Sequence, residues 1–263
     1  MSLKLAANLS FLYPDLPFLD RFAAAACDGF RGVEYLFPYD FGPAEIRKRL
    51  EDNGLDQVLF NLRAGDFLKG ERGLASLTGR EAEFQATLDQ AIDYAVALDC
   101  KRLHVMAGLR DSTVAHDTQL AVYRNNLRIA AAAAEKAGIT VLIEPINTKD
   151  MPGYFLKSVS MAAALIGEIN HPSLRLQFDI YHVQKTDGDI IRQYRKFSPL
   201  IRHIQIANPP NRFEPGNGEI NYPYIFDYLE SEGYDDWIGC EYTPSAGTSE
   251  TLGWARNYLN GPS

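Results

Sequence analysis

Short, almost continuous apolar runs punctuate the chain at residues 3–7, 32–35, 57–61, 102–106, 140–145, 175–179, 203–206 and 238–242. Each is too short for a helix and several carry β-branched residues, which predicts strands covered on both faces, as in a parallel sheet. Amphipathic stretches predict helices between them at 17–28, 43–53, 78–98, 117–137, 158–169, 187–196, 222–232 and 249–259. Gly54, Gly138 and Gly233 follow three of these as C-terminal stops, and Pro172 closes another. Strand then helix, eight times over, predicts an α/β fold, a (β/α)8 TIM barrel; such barrels run to about 250 residues. The rival, an open doubly wound sheet, would carry a glycine-rich turn after its first strand. Here that turn reads Asn8-Leu-Ser-Phe-Leu-Tyr, without glycine.

Composition narrows this picture. With 263 residues, 46% of them hydrophobic, the chain can bury a full core. No Pro/Ser/Gly-rich linker divides it, so residues 1–263 are expected to form a single barrel domain. A net charge of −8 leaves no basic footprint for nucleic acid. No apolar run approaches the ~20 residues that span a bilayer, and the opening lacks a signal-peptide cleavage pattern. The three cysteines stand apart and are expected to be reduced and buried. A cytoplasmic protein with no membrane or nucleic-acid partner is expected. Aromatics around Tyr35–Tyr39 and Phe213 are expected at the surface, as a homo-oligomer contact or a lid.

Barrel active sites lie at the C-terminal ends of the strands. There the fifth predicted strand ends in Glu144, the sixth in Asp179, the seventh carries Gln205 and the eighth ends in Glu241. A polar side chain inside an apolar run is costly to bury, and four on consecutive strands should converge. Three carboxylates brought together raise one another's pKa values unless a cation joins them. With an amide oxygen added, the all-oxygen set favours Mg²⁺ or Mn²⁺ over zinc. His182, three residues beyond Asp179, is a candidate substrate contact. His203 shares the inward direction of Gln205, and His104 has a similar place on the fourth strand. Two long loops, 63–79 and 208–221, supply arginines. Arg212 is a candidate anchor for a substrate carboxylate, with Arg63 and Arg72 weaker ones.

The segments LIEPIN (142–147), QFDIYH (177–182), HIQIA (203–207), EPGNGEINY (214–222) and GCEY (239–242) together resemble the hydroxypyruvate isomerase family. That family belongs to the xylose-isomerase-like barrels. The N-terminal half agrees in ANLSFLY (7–13), GFRGVEYLFPYD (29–40) and the segment 61–84, so the resemblance covers nearly the whole chain. It implies an isomerase of carbohydrate metabolism whose divalent metal is held by Glu144, Asp179, Gln205 and Glu241. It also implies that Glu144 and Glu241 are the proton donor and acceptor, and that His182 and Arg212 touch substrate. Hydroxypyruvate would pass to tartronate semialdehyde through an enediolate, the metal acting as Lewis acid. Asn208, Asn211 and Arg63 depart from the family's pattern around the pocket. Alternatives on the same site are a 2-oxo-tetronate isomerase, a ketose 3-epimerase and a lyase. A non-catalytic sugar-acid binding protein is the alternative from another class.

Overall fold

In the computed structural model, which describes residues 3–259, eight parallel strands close a barrel in chain order, β1 to β8. The strands are β1 Lys4–Asn8, β2 Gly32–Tyr35, β3 Asp56–Asn61, β4 Arg102–His104, β5 Thr140–Ile143, β6 Leu174–Asp179, β7 Ile201–Ile206 and β8 Trp237–Cys240. The helices between them are α1 Arg21–Cys27, α2 Pro43–Asn53, α3 Glu81–Leu98, α4 His116–Lys136, α5 Val159–Ile169, α6 Ile180–Thr186, α7 Ile190–Phe197, α8 Tyr222–Ser231, α9 Thr248–Thr251 and α10 Arg256–Leu259. The predicted (β/α)8 TIM barrel is therefore the observed fold. No described helix is long and apolar enough to cross a membrane.

Packing groups the chain into two compact units. The first holds residues 3–58, 179–181 and 203–259. Its centre is the run of strands β7–β8–β1–β2, with Gln205 opposite Gly239, Gly239 opposite Ala6, and Asn8 opposite Glu34. Phe18, Phe22 and Tyr35 meet edge to face in this unit, and Phe226 stacks on Trp254. Such pairs add to the burial of their large apolar area. Tyr35 and Tyr39 are buried, which corrects the expectation that this segment offers surface aromatics to a partner or lid. Tyr35 ends β2, and its ring packs against Phe18 and Phe22.

The second unit holds residues 59–178 and 182–202, with β3–β4–β5–β6 at its centre. Helix α4 buries Ala130, Ala131 and Ala134, small residues that let it lie close to α3 and β5. Helix α5 is opened by Ser158, whose hydroxyl accepts from the Met161 N–H at 3.3 Å, a regular N-cap.

The main departures from the predicted elements are in the helices. Helix α3 begins at Glu81, not at Thr78, because Arg80 is drawn into ion pairs with Glu71 and Glu83. The last predicted helix breaks into α9, a 3-10 turn and α10. Helix α6, which starts directly on the end of β6, was not anticipated. Its seven residues carry no glycine or proline to set them off from the strand, and the Asp179 carboxylate caps it by accepting from the Tyr181 N–H at 2.8 Å. The three cysteines are free thiols, but Cys27 is exposed.

Candidate functional site

In the first unit a buried polar network occupies the C-terminal ends of the strands. Glu34 on β2 is fully buried and accepts three bonds: from His203 Nε2 at 2.6 Å, Gln205 Nε2 at 2.7 Å and Asn8 Nδ2 at 3.0 Å. The two amides also donate to Glu241 Oε2, Gln205 at 2.7 Å and Asn8 at 3.0 Å. Two carboxylates are thus held side by side by shared donors. With the Gln205 nitrogen donating to both acids, its oxygen is directed away from them. The room for this comes from Gly239 on β8: a Cβ there would lie 2.3 Å from Glu34 Oε1.

Arg212 closes the network. Its Nη2 pairs with Glu241 Oε1 and lies 3.5 Å from Asp179 Oδ2. The guanidinium rests over two rings, 5.1 Å from that of Phe11 and 5.0 Å from that of Tyr181, a cation–π setting that adds to its ion pairs. Its backbone is left-handed, φ 60°, and its carbonyl accepts from Thr243 N at 2.9 Å. The loop that carries it is built, not open. Asn208 and Phe213 bridge, and the buried Asn208 Oδ1 accepts from Ile220 N at 2.9 Å. Glu214 accepts from Ser245 N at 3.0 Å and from Ser245 Oγ at 2.6 Å. Burial acts to raise Glu214, but these hydrogen bonds win and hold its carboxyl below the usual range. Asn208, one of the departures noted in the sequence, therefore ties the loop down; Asn211 is exposed.

Burial pushes the Glu241 carboxyl up from 4.5 to about 8; Arg212 pulls it down, while Asp179 and Glu34 add to the rise. Unfolded, this group binds its proton only below about 4.5, so between there and about 8 the folded metal-free chain holds the extra proton. Its contribution to stability is present at low pH and is lost as pH rises through that window. In chelator-treated protein, unfolding midpoints should fall from pH 5 to pH 8, and Glu241→Gln should flatten the fall. A wild-type slope equal to that of the variant would refute this.

In the second unit Glu144 lies one residue beyond β5 and is 4% exposed. His104 on β4 sets Nε2 3.7 Å from Glu144 Oε2, and its Nδ1 lies 3.2 Å from Asn61 Oδ1. His182 on α6 sets Nε2 4.0 Å from Glu144 Oε1. Asn147 donates to His182 Nδ1 at 2.7 Å. The two weaker anion candidates go elsewhere. Arg63 Nε donates to Gln90 at 2.9 Å, and Arg72 lies 4.2 Å over the Phe67 ring.

All four strand-end residues singled out in the sequence are buried: Asp179, Gln205 and Glu241 in the first unit, Glu144 in the second. Glu34 was missed. It carries the same signal, a carboxylate near the end of an apolar strand, on β2. His203 proves to be bonded to it.

The chain belongs to the xylose isomerase-like TIM barrel family, whose model matches residues 22–258. Among individual proteins it is 52% identical to the 2-oxo-tetronate isomerase of Cupriavidus necator over 97% of this chain and 98% of that one. It is 42% identical to the hydroxypyruvate isomerase of Escherichia coli K12 over 97% and 99%. With these relatives, the protein is an enzyme, an isomerase. A crystal structure from Brucella melitensis, named AP endonuclease, family 2, is 46% identical and superposes with a TM-score of 0.96 over 98% of this chain and 99% of that one.

Proposed function

We propose that the protein exchanges the carbonyl and hydroxyl groups between C2 and C3 of a short 2-oxo-3-hydroxy acid, with a divalent cation, Mg²⁺ or Mn²⁺, at the strand ends. The observation that carries this reading is the pairing of Glu241 with Arg212. A buried acid whose proton affinity is lifted to about 8 stands against a fixed guanidinium suited to a substrate carboxylate. Hydroxypyruvate, giving tartronate semialdehyde, is the three-carbon case. 2-Oxo-tetronate is the four-carbon case, and the 52% identity to the Cupriavidus enzyme favours it.

The donors suit the cation. Asp179 and Glu241 offer buried carboxylate oxygens and Gln205 an amide oxygen turned from its acidic neighbours, a hard all-oxygen set. Glu144, a further buried carboxylate at a strand end, is the fourth proposed ligand. The cation, when bound, withdraws charge from the reacting oxygens. Arg212 binds the substrate carboxylate and gives up its hold on the two acids in exchange. Glu144 and Glu241 divide the proton transfers: one proton leaves C3, one returns to C2, and the hydroxyl proton passes from O3 to O2. Burial that raises Glu241 makes it the stronger base once ionised. His182 contacts a substrate oxygen. An abasic-site nuclease, the activity in the name of the Brucella structure, would need a basic face for DNA; a net charge of −8 speaks against one.

The test is turnover of hydroxypyruvate and of 2-oxo-tetronate by chelator-stripped enzyme, before and after Mg²⁺ or Mn²⁺ is restored. Activity should vanish on stripping and return with metal. Full activity in metal-free protein would sink the cation, and no turnover of either acid by folded, metal-replete enzyme would sink the substrate class.

A further inference from the structure

We propose that Asn147 fixes His182 in the tautomer that carries its proton on Nε2, which makes His182 a hydrogen-bond donor to substrate and excludes it as a metal ligand. Asn147 lies just beyond β5 and is 1% exposed. Its side chain uses all four of its hydrogen-bonding positions. Oδ1 accepts from the backbone N–H of Lys149 at 3.1 Å and of Asp150 at 3.0 Å. Nδ2 donates to Asp150 Oδ2 at 3.1 Å and to His182 Nδ1 at 2.7 Å. Backbone N–H groups only donate, so the end of the amide facing them is the oxygen. A flipped amide would set its NH2 against two N–H groups and its oxygen against a carboxylate. The orientation is therefore decided by the partners and not by choice of assignment.

The consequence falls on the imidazole. A ring whose Nδ1 accepts a hydrogen bond carries its proton on Nε2 when neutral. Nε2 is the nitrogen turned toward Glu144, 4.0 Å from its Oε1, beyond hydrogen-bonding distance. A metal ion binds a nitrogen lone pair, and a protonated Nε2 has none to give. His182 is buried beside Glu144 and so qualifies as a ligand by position, but its hydrogen bonding assigns it the opposite role, that of donor to a carboxylate or carbonyl oxygen. The device is anchored at its far end, where Lys185 Nζ donates to Asp150 Oδ1 at 2.5 Å. One chain of bonds thus runs Lys185–Asp150–Asn147–His182, linking the β5 loop to α6. Asn147 is a positioning residue that acts through His182.

The tautomer does not depend on which substrate is turned over; only the identity of the oxygen that receives the Nε2 proton rests on the proposed function. The test is long-range ¹H–¹⁵N correlation of full-length protein carrying ¹⁵N-histidine, with and without added Mg²⁺. The chain has five histidines, and His182→Asn identifies the signal. The expected pattern is an unprotonated Nδ1 and a protonated Nε2, unchanged by Mg²⁺. Asn147→Asp, which presents an acceptor to Nδ1, should move the proton to Nδ1 and raise KM for the oxo acid roughly 10- to 100-fold, the effect of losing a hydrogen bond to a charged group. A wild-type ring protonated on Nδ1, or an Nε2 shifted by metal coordination, would overturn the proposal. If the variant does not fold, the wild-type spectrum still decides, and it decides equally if neither oxo acid is turned over.

Discussion

Replacing Glu241 by glutamine is expected to lower kcat by about 10²- to 10⁴-fold, the range in which a positioned general acid or base contributes, and Glu144→Gln should do the same. Both side chains are buried at strand ends, and glutamine keeps their shape while removing the transferable proton. The fold should be retained, since the Gln205 and Asn8 amides can donate to a glutamine oxygen at position 241 as they do to the acid, while the glutamine NH2 then faces Arg212 and ends that pairing. The two variants should differ in how they treat the metal-free protein. Glu241→Gln removes the group whose proton is held to about pH 8, so it should bind the cation without releasing that proton. The decisive measurement is steady-state kinetics in saturating Mg²⁺ beside circular dichroism of the same samples. Wild-type kcat in either variant would remove that glutamate from the chemistry. A double variant no slower than each single one would show that the pair acts as a unit.

The largest loss of stability is expected from Glu34→Ala. That change strips the acceptor from His203, Gln205 and Asn8 together, all within 3.0 Å of the carboxylate and all buried. Leaving three buried donors without their acceptor costs about 1–3 kcal/mol for each group left unsatisfied, or about 3 kcal/mol and more in all. Glu34→Gln keeps an oxygen in place and should cost less, about 1–3 kcal/mol. Urea unfolding of metal-free protein measures both. A loss below about 1 kcal/mol for the alanine variant would mean that the surrounding donors re-pair readily, contrary to the network described. Because the same amides hold Glu241, the alanine variant should also slow turnover without touching substrate.

The sequence made the barrel legible because its strands are apolar without alternation and its helices are amphipathic. Glu144, Asp179, Gln205 and Glu241 stood out because each interrupts an apolar run at its end. Glu34 interrupts its own run in the same way, so its burial was legible by the same signal. Other features left no local trace. Helix α6 follows β6 without a break in the residue pattern, and only the Asp179 side chain caps it. That Arg212 lies over Phe11 and Tyr181 depends on residues 201 and 31 positions away along the chain, so no window of sequence contains it. The aromatic segment at Tyr35–Tyr39 was expected at the surface, yet Tyr35 packs against Phe18 and Phe22, residues far enough back along the chain that the segment itself does not announce them. The role of Asn147 was invisible for a different reason. Amide orientation is set by which neighbours donate and which accept, and that is known only when the neighbours are in place.

Gly239 bears on how this site can change. It is the one position of β8 where a missing side chain leaves room for another residue's carboxylate, so Glu34 and Gly239 amount to a single character written at two places in the gene. Lineages that keep the acid on the second strand are bound to keep the gap on the eighth. A route that loses the acid first frees the gap for any small side chain, whereas a route that fills the gap first must pass through a collision with the acid. Substitution at the mouth of this barrel therefore has a preferred order.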